Sequence, residues 1–290
     1  MTDFASLYET ARARKARLVL PEIDDPTITA AAERLRDEGL AEVVPLAPVS
    51  PSHVAAIQAV RTKLKTPVAE RMLARPLFRA GAMVATGQAD AMVAGLTVPT
   101  KSVIEAASMT IGSDGSGPVA SFFLMLFDHR TPLIFADCAV NTDPDAAALA
   151  GIGQAIAQAA ERLTGSGRVA FLSYSTGTSG TGAQVGKVRE AVELAEAAGV
   201  DAIGPVQADA ALNGAIATKK GIEGEIATAL VFPNLDAANI GYKLTQELAG
   251  AQAVGPVLTG LNRPVCDLSR GASVDDIVKS AVVTLALADH

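Results

Sequence analysis

The chain of 290 residues contains no tryptophan, and only 4% of it is aromatic. That leaves little for stacking on bases, and a formal net charge of −7 argues further against a nucleic-acid surface. Cysteine and histidine are also scarce. Cys138 and Cys266 stand far apart, and His53, His129 and His290 are scattered singly. This inventory excludes a disulfide scaffold and argues against a zinc centre built from Cys and His. No long hydrophobic run is present either. The densest, Ser121 to Phe127 (SFFLMLF), falls far short of the ~20 residues a membrane-spanning helix needs. The N-terminal stretch MTDFASLYETARARKARLVLPE lacks the apolar core of a signal peptide, and Asp3 and Glu9 interrupt a transit-peptide pattern. The expectation is a soluble, cytoplasmic protein whose unpaired cysteines suit a reducing compartment. Its chemistry must come from hydroxyls, carboxylates, guanidinium groups and backbone N–H.

What is present is apolar surface: 49% of residues are hydrophobic and 19% charged, enough for a large core. The length suits two domains, at ~100–200 residues each. Strand patterns fall at 17–20, 42–46, 91–94, 119–126, 132–136, 168–174, 227–232 and 253–257. Helical patterns alternate with them. Asp25-Pro26 starts one that Gly39 ends, and Asp143-Pro144 starts another that runs to about Leu163. Others cover 190–198, 235–250 and 273–288. Buried strands alternating with helices predict an α/β protein with mostly parallel sheets covered on both faces. Gly112–Gly117 (GSDGSG) reads as a crossing point between domains or as a simple loop. The basic run Arg12, Arg14, Lys15 and Arg17 reads as the solvated end of the first helix.

Four stretches carry chemistry. Ser173–Gly182 (SYSTGTSGTG) follows a strand and offers Ser175, Thr176 and bare glycine backbone, reading equally as an oxyanion cradle or a flexible loop. It is neither a Walker A loop nor a clean G-x-G-x-x-G. Asp267–Asp276 (DLSRGASVDD) sets Ser269, Arg270 and Asp276 at the mouth of the last helix. Ser273 with Asp276 makes a capping box there, a complete structural account of both. Yet Arg270 is suited to grip a phosphate, and Asp276 to accept a proton. In Asn234–Lys243 (NLDAANIGYK), Asp236, Asn239 and Lys243 share a helical face that is ordinarily just solvated. In Phe135–Pro144 (FADCAVNTDP), Asp137 stands at a strand end, where open α/β sheets line their ligand crevice. Asp143 is more simply a helix cap.

Together with LVLPE, SFFLM, RVAFLSYSTGTSG and GPVLTGLNRPVCDLSRGASVDDIV, these stretches resemble the phosphate acetyltransferase family. The likeness is nearly continuous from Ser121 onward and looser before it, with a shortening between Leu46 and Arg71. The resemblance implies two three-layer α/β/α domains of isocitrate/isopropylmalate dehydrogenase-like architecture, with the active site in the interdomain cleft. It implies residues 1–115 plus 258–290 as the first domain and 116–257 as the second, the latter forming a homodimer. The implied reaction is acetyl-CoA plus phosphate to acetyl phosphate plus CoA, reversibly, with no metal or prosthetic group. Ser269, Arg270 and Asp276 fall on the family's functional Ser, Arg and Asp. Ser175, Thr176, Asn239, Lys243 and Lys101 are the candidate substrate-binding residues.

A thiol of pKa near ~8.5 would lose its proton to a free aspartate of ~3.9 at a cost of roughly 6 kcal/mol. Proton transfer to Asp276 must therefore accompany C–S bond formation, or Asp276 must be perturbed by burial. Cys266 beside the motif reads as a buried, inert thiol rather than an acyl carrier. Two positions depart from the family pattern: Glu105 and Glu247 stand where it carries arginines associated with CoA or phosphate. Lys101, one helical turn before Glu105, could replace one of them. Three other readings remain: a butyryl or other short-chain acyl specificity, a non-catalytic acetyl-CoA-binding module, and a nicotinamide-dependent dehydrogenase. The last lacks a cluster of metal-binding aspartates.

Overall fold

Several helix starts are written directly into the sequence. Asp25 accepts the N–H groups of Thr27 and Ile28 at 2.8 and 3.3 Å, and Pro26 presets the first helical φ. Ser273 and Asp276 close the expected capping box. In the computed structural model, which describes residues 4–288, the chain divides into two compact units. One comprises 4–114 and the segment from 254 onward; the other is 115–253. The boundary at 114/115 falls inside GSDGSG.

The first unit runs α1 (Phe4–Arg14), β1 (Arg17–Val19), α2 (Pro26–Asp37), β2 (Glu42–Val44), α3 (Pro51–Val60), α4 (Thr66–Leu73), α5 (Pro76–Ala85), β3 (Ala91–Ala94) and α6 (Thr100–Thr110). The second unit contributes β4 (Ala120–Leu126), β5 (Leu133–Ala136), α7 (Ala146–Thr164), β6 (Val169–Leu172), α8 (Ala183–Ala197), β7 (Ala202–Val206), α9 (Ala208–Leu212), α10 (Gly214–Lys219), β8 (Ala229–Val231) and α11 (Leu235–Ala249). The chain then re-enters the first unit through β9 (Gln252–Thr259), β10 (Val265–Asp267) and α12 (Val274–Ala286).

In the first unit the strand order is β2-β1-β3-β10-β9, parallel except for β9, which runs against β10. In the second it is β4-β5-β8-β6-β7, parallel except for β4, which runs against β5. β3, β5 and β6 are buried at every position, as strands covered on both faces should be. α12 contributes Ile277, Val278, Val282 and Val283 to the core and packs on α1, α2 and β3.

The differences from sequence expectation have local causes. α7 is capped by Asp145, not Asp143: Asp145 accepts the Ala148 N–H at 2.8 Å, while Asp143 pairs with Lys187 at 2.6 Å. α8 begins at Ala183, seven residues before the expected start, because Gly182 and Gly186 blur its opening. β7 escaped notice because Gly204 and Pro205 interrupt it, which a terminal strand of the sheet tolerates. The basic run is not merely solvated. Arg14 donates to the carbonyls of Leu285, Ala286 and Ala288, and Arg17 pairs with Asp90 at 2.7 Å.

Candidate active site

Parallel strands β1, β3 and β10 send three connections to their shared C-terminal edge. From the first, Glu22 reaches the turn after β3. Its carboxylate accepts the N–H groups of Gly95, Leu96 and Thr97 at 2.6, 3.2 and 2.6 Å, together with the Thr97 hydroxyl. α6 follows that turn, with Lys101 exposed on its first helical turn and Glu105 exposed one turn later. From β10 the chain enters an exposed turn carrying Ser269 and Arg270, closed by the Ala272 N–H donating to the Ser269 carbonyl at 3.0 Å. Asp276 is the third residue of α12. Its Oδ2 accepts the Ser273 N–H at 2.9 Å and the Ser273 hydroxyl at 2.7 Å, and its own N–H donates back to the Ser273 oxygen at 3.2 Å. Ser269, Arg270 and Asp276 thus share one turn and the helix start after it. Lys101 lies on the neighbouring connection of the same edge.

The other four candidates belong to the second unit, on connections leaving the C-terminal ends of β6 and β8. The loop after β6 folds on itself. Ser175 is 2% exposed, and its hydroxyl lies 3.0 Å from that of Ser179. A β-carbon at Gly180 would sit 2.7 Å from the Ser175 oxygen, so only glycine allows this closure. Thr176 is tied to Gln207, which follows β7: the Gln207 N–H donates to the Thr176 hydroxyl oxygen at 3.1 Å, and that hydroxyl donates to the Gln207 Oε1 at 3.4 Å. Ser175 therefore braces the loop from within, while Thr176 sits nearer its surface. After β8, Asn234 caps α11 by accepting the Ala237 N–H at 2.9 Å. Along that helix Asn239 donates to the Cys138 carbonyl at 3.4 Å, and the exposed Lys243 ammonium lies 5.0 Å from the centre of the Tyr242 ring.

Asp137 serves structure rather than a crevice. It is 4% exposed, and its Oδ1 accepts from the Ser121 N–H and hydroxyl and from the N–H groups of Ala139 and Val140. Oδ2 takes the Asn141 N–H at 2.8 Å and its side-chain amide at 2.6 Å. A carboxylate so fully engaged ties the β5–α7 loop to the start of β4.

Both thiols are fully buried. Burial pushes Cys266 up to about 12 and Cys138 higher still, so neither presents a thiolate near neutral pH. Among the described residues no three His, Cys, Asp or Glu side chains gather as a metal would require, and no helix is long and apolar enough to cross a membrane. A surface hollow of about 770 Å³ in the second unit is lined by Arg162, Arg168, Asp201 and Glu225 and holds none of the candidates.

Residues 52–285 match the family model described as phosphate acetyl/butaryl transferase. The chain belongs to this family. It is 38% identical to the phosphate acetyltransferase of Paracoccus denitrificans over 98% of both chains. It is 37% identical to the phosphate acetyltransferase of Deinococcus radiodurans, where 96% of this chain spans only 44% of a longer relative. Among solved structures it is similar to a phosphotransacetylase from Streptococcus pyogenes, with a TM-score of 0.87, 32% identity, and coverage of 98% of this chain and 97% of that one. The mixed α/β fold with mostly parallel strands matches that phosphotransacetylase structure.

Sequence reasoning passed over Glu22 and Asp267 on the edge that carries Ser269 and Arg270. Glu22 gave no local signal, since its partners lie more than 70 residues away. Asp267 stood in the motif but is distinguished only by its burial, at 2% exposed.

Proposed function

We propose that this chain catalyses reversible transfer of an acetyl group between CoA and inorganic phosphate, acetyl-CoA + phosphate = acetyl phosphate + CoA. It is an acyltransferase. The observation that carries the assignment is the match to a phosphate acetyltransferase across 98% of both chains.

Residue roles follow from the chemistry. Arg270 binds the phosphate of acetyl phosphate bidentately and offsets charge on the leaving group. Ser269 donates a further hydrogen bond. Asp276 takes the proton from the CoA thiol as sulfur attacks the acetyl carbon and the C–S bond forms; the tetrahedral intermediate then collapses, re-forming the carbonyl as the C–O bond to phosphate breaks and inorganic phosphate leaves. What supports these roles is their sharing of one exposed turn and the helix that follows it. Lys101, Thr176, Asn239 and Lys243 bind the polyanionic substrates in this reading, with Ser175 holding the shape of its loop. Lys101 stands in for an arginine at Glu105, and nothing in the structure explains Glu247.

The reading also includes the two-domain, dehydrogenase-like division of 1–115 plus 258–290 and 116–257, which the two compact units support. It further includes a cytoplasmic homodimer, and turnover without a metal or prosthetic group. The dimer is supported by an exposed apolar stripe on α11: Ile240, Leu244 and Leu248 are 57%, 52% and 82% exposed at successive turns.

The test is release of CoA thiol from acetyl-CoA, propionyl-CoA and butyryl-CoA, with and without phosphate and with a chelator. Expected is phosphate-dependent, chelator-resistant turnover fastest with acetyl-CoA, reduced roughly 10²–10⁴-fold by Asp276→Asn and strongly by Arg270→Ala. A preference for butyryl-CoA would overturn the acyl assignment. Binding of acetyl-CoA without turnover would overturn catalysis.

A further inference from the structure

Asp267 ends β10, one residue before the Leu268–Ser269–Arg270 segment leaves the sheet. Its pairing partner on β3 is Ala94, and the Leu268 N–H donates to the Ala94 carbonyl at 2.6 Å, so the next residue, Gly95, lies against the Asp267 side chain. Gly95 has φ +110°, and a β-carbon there would collide with Asp267 Oδ1 and come within 2.7 Å of the Leu268 nitrogen. Asp267 is only 2% exposed, and its Oδ1 has no hydrogen-bond partner. The N–H groups of the adjoining turn do not serve it, because Gly95, Leu96 and Thr97 donate theirs to Glu22. A buried carboxyl with an unsatisfied oxygen costs stability, and asparagine fills the same volume without the charge. This group stands two residues before Ser269 and three before Arg270, at the root of the turn proposed above to bind phosphate.

We propose that Asp267 is a positioning residue for anion binding at the Ser269–Arg270 turn: uncharged, it leaves the positive potential of Arg270 intact, and charged, it sets a negative charge at the root of the turn and weakens binding of the phosphate-bearing substrate. This deepens, and rests on, the phosphate acetyltransferase reading. Burial, opposed by a hydrogen bond from Thr100 and reinforced by the charge of Glu22, pushes the Asp267 carboxyl up to about 6. The change of charge therefore falls within the range where enzymes work. Glu22 is the charged group acting on it. β3 and β9 carry no charged residue, and its own strand adds only the Cys266 thiol. α6 carries Lys101 and Glu105. α12 carries Asp275, Asp276 and Lys279, of which Asp275 is paired with Arg34 and Lys279.

The experiment measures KM for inorganic phosphate and kcat, with acetyl-CoA, for wild type and Asp267→Asn between pH 4.5 and 8.5. Taking the wild-type to variant ratio at each pH cancels the titration of phosphate itself. The KM ratio is expected to rise through a step centred near pH 6, to roughly fivefold, while the kcat ratio stays level. A flat KM ratio, or an effect on kcat alone, overturns the proposal. A second readout needs no turnover: the rise in Tm that inorganic phosphate gives each protein. It should shrink above pH 6 in wild type more than in the variant, and an equal response in both would overturn the proposal. If no acyl-CoA is turned over, the functional reading fails, and this readout still decides the role of Asp267. Folding is tested by the same melts. A carboxyl raised by folding destabilises as pH climbs from its unfolded value through about 6. The asparagine variant should therefore melt above wild type at pH 8 and level with it below pH 4. A variant melting lower at pH 8 would overturn the uncompensated charge on which the proposal stands.

Discussion

Asp276 has two tasks that meet on one side chain. Its Oδ2 receives both hydrogen bonds from Ser273. As proposed base, it must also take a proton from a thiol. The two tasks separate by mutation. Ser273→Ala removes the oxygen that accepts the Asp276 N–H, and should cost about 1 kcal/mol of stability, read by denaturant unfolding. Turnover should fall far less than in Asp276→Asn. If Ser273→Ala and Asp276→Asn lose activity equally, the aspartate acts through the cap alone. Asp137 shows the opposite case. A carboxylate at a strand end resembles a ligand group in sequence, yet six donors engage it, four from its own loop and two from Ser121 on β4.

At the scale of elements, α11 differs from its neighbours. It buries only Ala238 and turns Ile240, Leu244 and Leu248 outward, whereas α12 of similar length buries nine residues. A helix with so much apolar surface in water covers it with another surface, and a second copy is the proposed cover. Leu248→Glu places a charge at the most exposed point of the stripe. If the proposed dimer forms through this face, the expected outcome is a dimeric wild type and a monomeric variant in light scattering, with the folded circular-dichroism spectrum retained. A variant that stays dimeric would remove this face from the interface. Strands were legible where apolar runs were continuous, as at Ala91–Ala94, where expectation and structure coincide. Short helices α3, α4 and α5 were not. Each begins at or beside a proline, and each spans ten residues or fewer, too short for periodicity to emerge.

For the whole molecule, two opposed pH linkages meet. Burial works against the charge of Asp90, but hydrogen bonds and charge from Arg17 outweigh it and hold the carboxyl below the usual range. Lys279, then Arg34, does the same for Asp275 against partial burial. Carboxyls lowered by folding stabilise above their unfolded value near 3.8 and lose that contribution as pH falls through the folded one. Asp267 has the opposite sign. Wild type should therefore melt highest near pH 4–5, with an acid limb that Arg17→Gln flattens and a decline toward pH 7 that Asp267→Asn removes. An acid limb unaltered in Arg17→Gln would show that the Arg17–Asp90 pair contributes nothing.

The sequence by itself determined the class of fold, because buried runs and helix caps are local, and its resemblance to the phosphate acetyltransferase family, carried by stretches such as DLSRGASVDD, implied the reaction class. Its inventory also argued against a Cys/His metal centre. Only the tertiary structure decided which polar groups face inward. Ser175 is bonded within its own loop, Asp137 ties its loop to β4, and Asp267 is caught beside Gly95 with one oxygen unpaired. Burial and satisfaction depend on residues far apart in the chain, as Glu22 and Gly95 are, and no local pattern records them.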